Sequence, residues 1–99
     1  MANSRSRQGD YVLRLYVSRS TVRSALAVRT IRRVCKLHLR GKYALEVIDI
    51  HSHPNLARDE QIVAVPTLEI QLPQEVRKII GDLSNTDRVL VGLDLQEIG

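Results

Sequence analysis

Hydrophobic and polar positions alternate from Tyr11 to Val17, with Tyr11, Leu13, Leu15 and Val17 on one side and Arg14 on the other. That is the period of a half-buried strand. The pattern then turns helical. Ala27, Val28, Ile31, Val34, Cys35 and His38 fall on one side of a wheel, and Arg29, Arg32, Arg33, Lys36 and Arg40 gather on the other within about 100°. Ser20 or Thr21 can cap this helix, which is expected to end near Arg40, before Gly41. Tyr43 to Ile50 is apolar on both faces and reads as a second, central strand. Strand, crossover helix and strand make a right-handed βαβ unit with parallel strands.

Pro54 suits the first position of a short helix running to about Ile62. Val65-Pro66-Thr67-Leu68 opens a third strand, Thr67 to Leu72, ended by Pro73. This is the element order of a thioredoxin-like α/β domain, in which the proline ahead of the third strand is usually cis. Beyond Pro73, local rules leave two readings open. In one, Val76 to Ile80 is a strand and Ser84 caps a helix with Asp87 in its first turn. In the other, Gln74 to Ile80 is a short helix closed by Gly81 in a left-handed C-cap, and Arg88 to Leu93 is a strand rich in Val and Leu. Residues 1–9 are polar and read as a flexible arm ahead of one domain, 10–99.

With 99 residues, the chain can bury one modest core. It has no Trp or Phe and only three Tyr, so that core must be aliphatic. The apolar runs fall far short of the ~20 residues a membrane helix needs. Arg5 and Arg7 precede no apolar segment, so no signal peptide is expected. Cys35 is the single cysteine and cannot form an internal disulfide, which fits a reducing cytoplasm. Charge changes the picture more. Residues 1–42 hold eleven basic residues and one acid, a net of +10, whereas residues 43–99 hold four basic and ten acidic residues, a net of −6. Such asymmetry points to a partner for the basic half, or to copies of the chain facing one another in a homo-oligomer.

A thioredoxin-like fold suggests redox work, but the segment Ser18 to Ser24, where the reactive cysteines would lie, has none. Cys35 sits on the apolar side of its helix, where a free cysteine acts as a small hydrophobe. Asp49, His51 and His53 fall at alternate positions near a strand end and offer a metal too few ligands. No glycine-rich phosphate loop, nucleophile elbow or convincing carboxylate pair is present. The expectation is a protein that is not an enzyme and carries neither cofactor nor metal. The arc of Arg29, Arg32, Arg33, Lys36 and Arg40 is the best physical signal for binding. It reads as a solvated helix face, a surface for an acidic protein, or a nucleic-acid contact. The scarcity of aromatic residues and the ten acids elsewhere disfavour nucleic acid.

Six stretches together resemble the KaiB clock-protein family over roughly Tyr11 to Leu95. They are Leu13-Arg14-Leu15-Tyr16-Val17, Tyr43-Ala44-Leu45-Glu46-Val47-Ile48-Asp49, Asn55-Leu56-Ala57, Val65-Pro66-Thr67-Leu68, Gly81-Asp82-Leu83-Ser84-Asn85 and Val91-Gly92-Leu93-Asp94. The resemblance implies a cytoplasmic, non-enzymatic module that binds the hexameric ATPase KaiC, alters its phosphorylation cycle and then captures KaiA. It also implies a metamorphic chain. A resting tetramer and a rare thioredoxin-like form share the βαβ half and differ in the C-terminal half, the half in which local rules do not choose.

By position, the resemblance assigns Pro66, Pro73, Gly92 and Asp94 to the fold switch, and Gln61, Arg77 and Lys78 to partner binding. Gly92 also has a physical reading, since a glycine in an apolar run lowers helix and strand propensity alike. Gln61 stands where clock-type members have a lysine, Gln74 and Glu75 replace prolines after Pro73, and the strongly basic first helix is unlike theirs. The expectation is a regulator of a KaiC-type ATPase in a clock or a clock-derived timing or stress system, resting as a tetramer or dimer. The alternative is a thioredoxin-like adaptor that binds another acidic protein through the basic helix face, independent of a clock.

Overall fold

In the computed structural model, which describes residues 11–72 and 75–93, the chain runs β1 (Tyr11–Val17), α1 (Val22–Val34), β2 (Tyr43–Asp49), α2 (Pro54–Asp59), β3 (Thr67–Gln71), β4 (Val76–Ile80) and α3 (Thr86–Gly92). The four strands form one sheet in the order β2-β1-β3-β4. β1 pairs with β2 in parallel and with β3 antiparallel, and β3 pairs with β4 antiparallel. The strand expected to be central, β2, is therefore an edge, and β1 is central. The apolar residues on both faces of β2 reflect cover above and below the sheet, not a neighbour on each side. Tyr43 and Leu45 pack toward the core, Ile48 is buried, and Val47 is left at the rim.

α1 is capped by Thr21, whose Oγ1 accepts the Ser24 N–H at 3.2 Å. The helix then runs on into one π-type turn, Cys35–Leu39, before Arg40 (φ 46°) and Gly41 (φ 83°) turn the chain left-handed and end it. A π-type turn accommodates an extra residue per turn. The inward seat that a straight helix would give His38 passes to Leu39, which is buried, while His38 is exposed.

One face of the sheet carries the core. Leu13, Leu15 and Val17 of β1 and Leu68 and Ile70 of β3 meet Ala27, Ile31 and Val34 of α1 and Val89 and Leu90 of α3. The two helices lie side by side on this face, and Thr30 Oγ1 donates to the Ser84 carbonyl at 3.5 Å. α2 ends at Asp59, short of the expected Ile62, and Gln61 turns the chain at φ 58°. A cis Val65–Pro66 bond then leads into β3.

Of the two C-terminal readings, this structure has the strand-then-helix one. β4 completes the sheet edge left by β3, and Leu83, Val89, Leu90 and Leu93 close the core. The cap of α3 is Asn85, not Ser84. Asn85 Oδ1 accepts the Arg88 N–H at 3.3 Å, while the Ser84 N–H donates to Asp82 Oδ1 at 3.0 Å. Asp87 occupies the first turn, as expected. The arm at 1–9, Pro73, Gln74 and Asp94 lie outside the described residues.

Candidate partner-binding surface

Among the described residues, those singled out by resemblance lie along β4 and its two flanks. Arg77 and Lys78 are neighbours on a strand, so their side chains leave opposite faces of the sheet. On the α3 side, Arg77 Nη1 donates to the Gly92 carbonyl at 2.8 Å, and Arg77 Nη2 pairs with Glu75 Oε2 at 2.8 Å. The guanidinium thereby ties the end of α3 to the strand. Gly92 itself lies against Ile79, the one side chain of β4 that packs on the core cluster. On the other face, Lys78 Nζ donates to the Glu60 carbonyl, beside exposed Gln61. Arg77 and Lys78 are thus bonded cations, not merely solvated ones. Pro66 is buried at the entry to β3, where Thr67 Oγ1 holds the Ala64 carbonyl at 2.7 Å.

Around this group the surface is apolar. Val76 and Ile80 of β4 and Val91 of α3 are exposed. A depression of about 410 Å³ on the outer side of α3 is lined by Asn85, Asp87, Arg88, Val91 and Gly92. Arg88 Nη2 donates to the Ile80 carbonyl at 3.0 Å, which keeps that guanidinium over the β4–α3 turn.

Beneath Gln61 lies a cluster that sequence reasoning did not single out. Cross-strand register puts Glu46, Arg14, Glu69 and Lys78 in one row across all four strands. Glu69 is 0% exposed, and neither of its carboxyl oxygens meets a hydrogen-bond partner. Arg14 Nη1 is 3.9 Å away and is shared with Glu46, whose Oε1 is 3.6 Å from Arg14 Nε. Burial, reinforced by the facing Glu60 carboxyl and opposed by Arg14, pushes the Glu69 carboxyl above its ordinary range. The Tyr16 hydroxyl is also buried without a partner, and its pKa is raised by burial. Alternation marked Glu69 as outward from Leu68 and Ile70, and in a bare sheet that position would be wet. Only the tertiary placement of the chain around Glu60 makes it dry.

Arg29, Arg32, Arg33, Lys36 and Arg40 lie apart from this group, exposed on the outer side of α1 and its π-type turn. Cys35 is 0% exposed, and burial pushes its thiol up to about 11, with Arg32 pulling the other way. His51 and His53 are exposed at the end of β2, with Ser18 Oγ and His51 Nε2 3.2 Å apart. Among the described residues, no group of three His, Cys, Asp or Glu side chains could hold a metal, and no helix is long and apolar enough to cross a membrane.

The fold has close likenesses among solved structures. The N-terminal domain of Synechococcus elongatus SasA superposes with a TM-score of 0.70 at 20% identity, covering 98% of this chain and 95% of that one. Mitochondrial thioredoxin 3 of Saccharomyces cerevisiae gives a TM-score of 0.72 at 16% identity, covering 89% of this chain and 80% of that one. At such identities these establish the thioredoxin-like fold alone. Sequence goes further. The circadian clock oscillator protein KaiB of Parasynechococcus marenigrum is 51% identical over 85 residues, spanning 86% of this chain and 82% of its own. The KaiB domain matches residues 14–95, from the Arg14 row of the sheet past the end of α3, and a match of that extent at that identity means that the chain belongs to the KaiB family.

Proposed function

We propose that this chain is a cytoplasmic, non-enzymatic regulator that binds a KaiC-type hexameric ATPase and modulates its phosphorylation and ATPase cycle. It serves a circadian clock or a clock-derived timing system. The observation that carries this reading is the match to the KaiB domain over residues 14–95, with 51% identity over 85 aligned residues to a circadian clock oscillator protein. The β4 region supports it. Gln61, Arg77 and Lys78 stand close to an exposed apolar edge of Val76, Ile80 and Val91, the mixed surface a protein partner needs. In this reading Pro66, Pro73, Gly92 and Asp94 govern exchange between the thioredoxin-like arrangement and a resting homo-oligomer, and a KaiA-like protein is a further partner. A rare competent state lowers apparent affinity by its population and makes association slow.

Light scattering coupled to gel filtration tests this on the chain alone and after long incubation with the KaiC-type ATPase of the same organism, with ATP or ADP. The expected result is a tetramer or dimer that passes over minutes to hours into a ring-sized complex dependent on the nucleotide. A chain that never co-elutes with the ring under either nucleotide would overturn the reading.

A further inference from the structure

Five cations stand along the outer side of α1 and its π-type turn, a rod roughly 25 Å long. None of the side chains of Arg29, Arg32, Arg33, Lys36 and Arg40 enters an ion pair or hydrogen bond among the described residues. The other half of the chain does not neutralise them. Asp49 pairs with Arg19, Glu46 with Arg14 and Glu75 with Arg77, and the exposed Asp59, Asp82 and Asp87 form no ion pair with the stripe among the described residues.

Two leucines stand beside the cations. Leu26 is 41% exposed and Leu37 is 58% exposed. Leu26 flanks the cation arc on the wheel of α1, and Leu37 follows Lys36 within the π-type turn. Phosphate has no use for leucine, and the three tyrosines that could stack on bases are buried or half-buried. An acidic protein segment uses both features, since its carboxylates meet the arginines and its apolar residues cover the leucines.

We infer that the outer face of α1 is a docking surface for an acidic amphipathic segment of a partner protein, with Leu26 and Leu37 as apolar anchors beside the cation stripe. This surface is separate from the β4 region, and its use does not depend on the proposed ATPase complex. The stripe steers the partner in by charge, and the leucines hold its register.

Fluorescence anisotropy tests this on the full chain with three probes. They are a labelled helical peptide with glutamates on one face and leucines on the other, the same peptide with its leucines changed to serine, and random-sequence DNA, single-stranded and duplex. The expected order is leucine peptide tightest, serine peptide weaker by about threefold or more, and DNA weakest. Arg33→Glu with Lys36→Glu should weaken the leucine peptide by about tenfold or more. Leu26→Ala with Leu37→Ala should weaken it by about threefold while leaving the serine peptide unchanged. Circular dichroism checks that each variant folds, and the two pairs of substitutions are read independently. DNA bound more tightly than the leucine peptide would overturn the proposal in favour of nucleic acid. Equal binding of the two peptides, or indifference to charge reversal, would overturn it outright.

Discussion

Gly92 and Ile79 compete for one space: a Cβ on Gly92 would overlap Ile79 Cδ1 and stand 3.0 Å from Cγ1. Replacing Gly92 by alanine therefore sets two terms against each other. Helix propensity gains about 1 kcal/mol, while overpacking costs about 1–3 kcal/mol unless the end of the isoleucine swings aside. Removing Cδ1 removes the conflict. Gly92→Ala should be more favourable in an Ile79→Val background than in the native chain, by about 1 kcal/mol or more. A double-mutant cycle by chemical denaturation, with every variant in one oligomeric state, measures the coupling. Additive effects would mean that the two side chains do not share this space.

On the opposite face of the sheet, Glu69 makes the fold sensitive to protons. Its carboxyl is raised here by burial and by Glu60, with Arg14 opposing, relative to the unfolded chain. A raised pKa means the folded protein holds the proton more tightly. The contribution to stability is present on the acid side and is lost as pH climbs through the raised value. Glu69→Gln keeps the shape and discards the charge. It should stabilise the thioredoxin-like form at pH 8, by about 1 kcal/mol or more, because a buried charge costs more than a buried amide, and have a smaller effect at pH 5. Denaturation at the two pH values checks this, and an equal effect at both would show that Glu69 does not titrate.

The α3 cap separates Asn85 from Ser84. Asn85→Ala removes the acceptor for the Arg88 N–H and should cost about 1 kcal/mol. Ser84→Ala, which keeps the backbone N–H bond to Asp82 and loses only the exposed Oγ bond, should cost less than half of that, or roughly 0.5 kcal/mol at most. Thermal melts of the two variants give the order directly. A larger loss at Ser84 would move the start of the helix.

Cys35 should be inert while the chain is folded. It is 0% exposed and its thiol is pushed up to about 11, so both access and thiolate are lacking. A maleimide added at pH 8 should label it only after denaturation in concentrated guanidinium chloride. Rapid labelling of the native protein would show that the helix opens there.

The βαβ half could be read from its sequence because each element carries its own signal: alternation at Tyr11–Val17, a cap at Thr21, and an apolar stripe at Ala27, Ile31 and Val34. What alternation could not supply was neighbourhood. The apolar faces of β2 said that it was covered, and only the hydrogen-bonding order said that it was an edge. His38 was misplaced because one π-type turn moves the register by a residue, and Ser84 because Asp82 claims it first. In the C-terminal half the decision between strand and helix for Val76–Ile80 rests on pairing with β3 and on the seat Ile79 finds beside Gly92. Both contacts lie outside the segment itself, where its own pattern cannot show them. Glu69 was missed for the same reason, because the chain around Glu60 dries it from outside its own strand.

Within the sheet, the first half of the chain meets the second along one line, Val12–Tyr16 against Thr67–Gln71. That line is a seam. Its stitches are peptide groups, which every residue possesses, so substitutions along it change how firmly it is sewn without changing where it runs. Opening it together with the α1–α3 packing would leave β1, α1 and β2 closed on themselves by the parallel ladder and the crossover helix, while β3, β4 and α3 come free together. A chain with one such seam parts at an address set by its topology, and the side chains along it, Arg14 and Glu69 among them, set only how readily it parts.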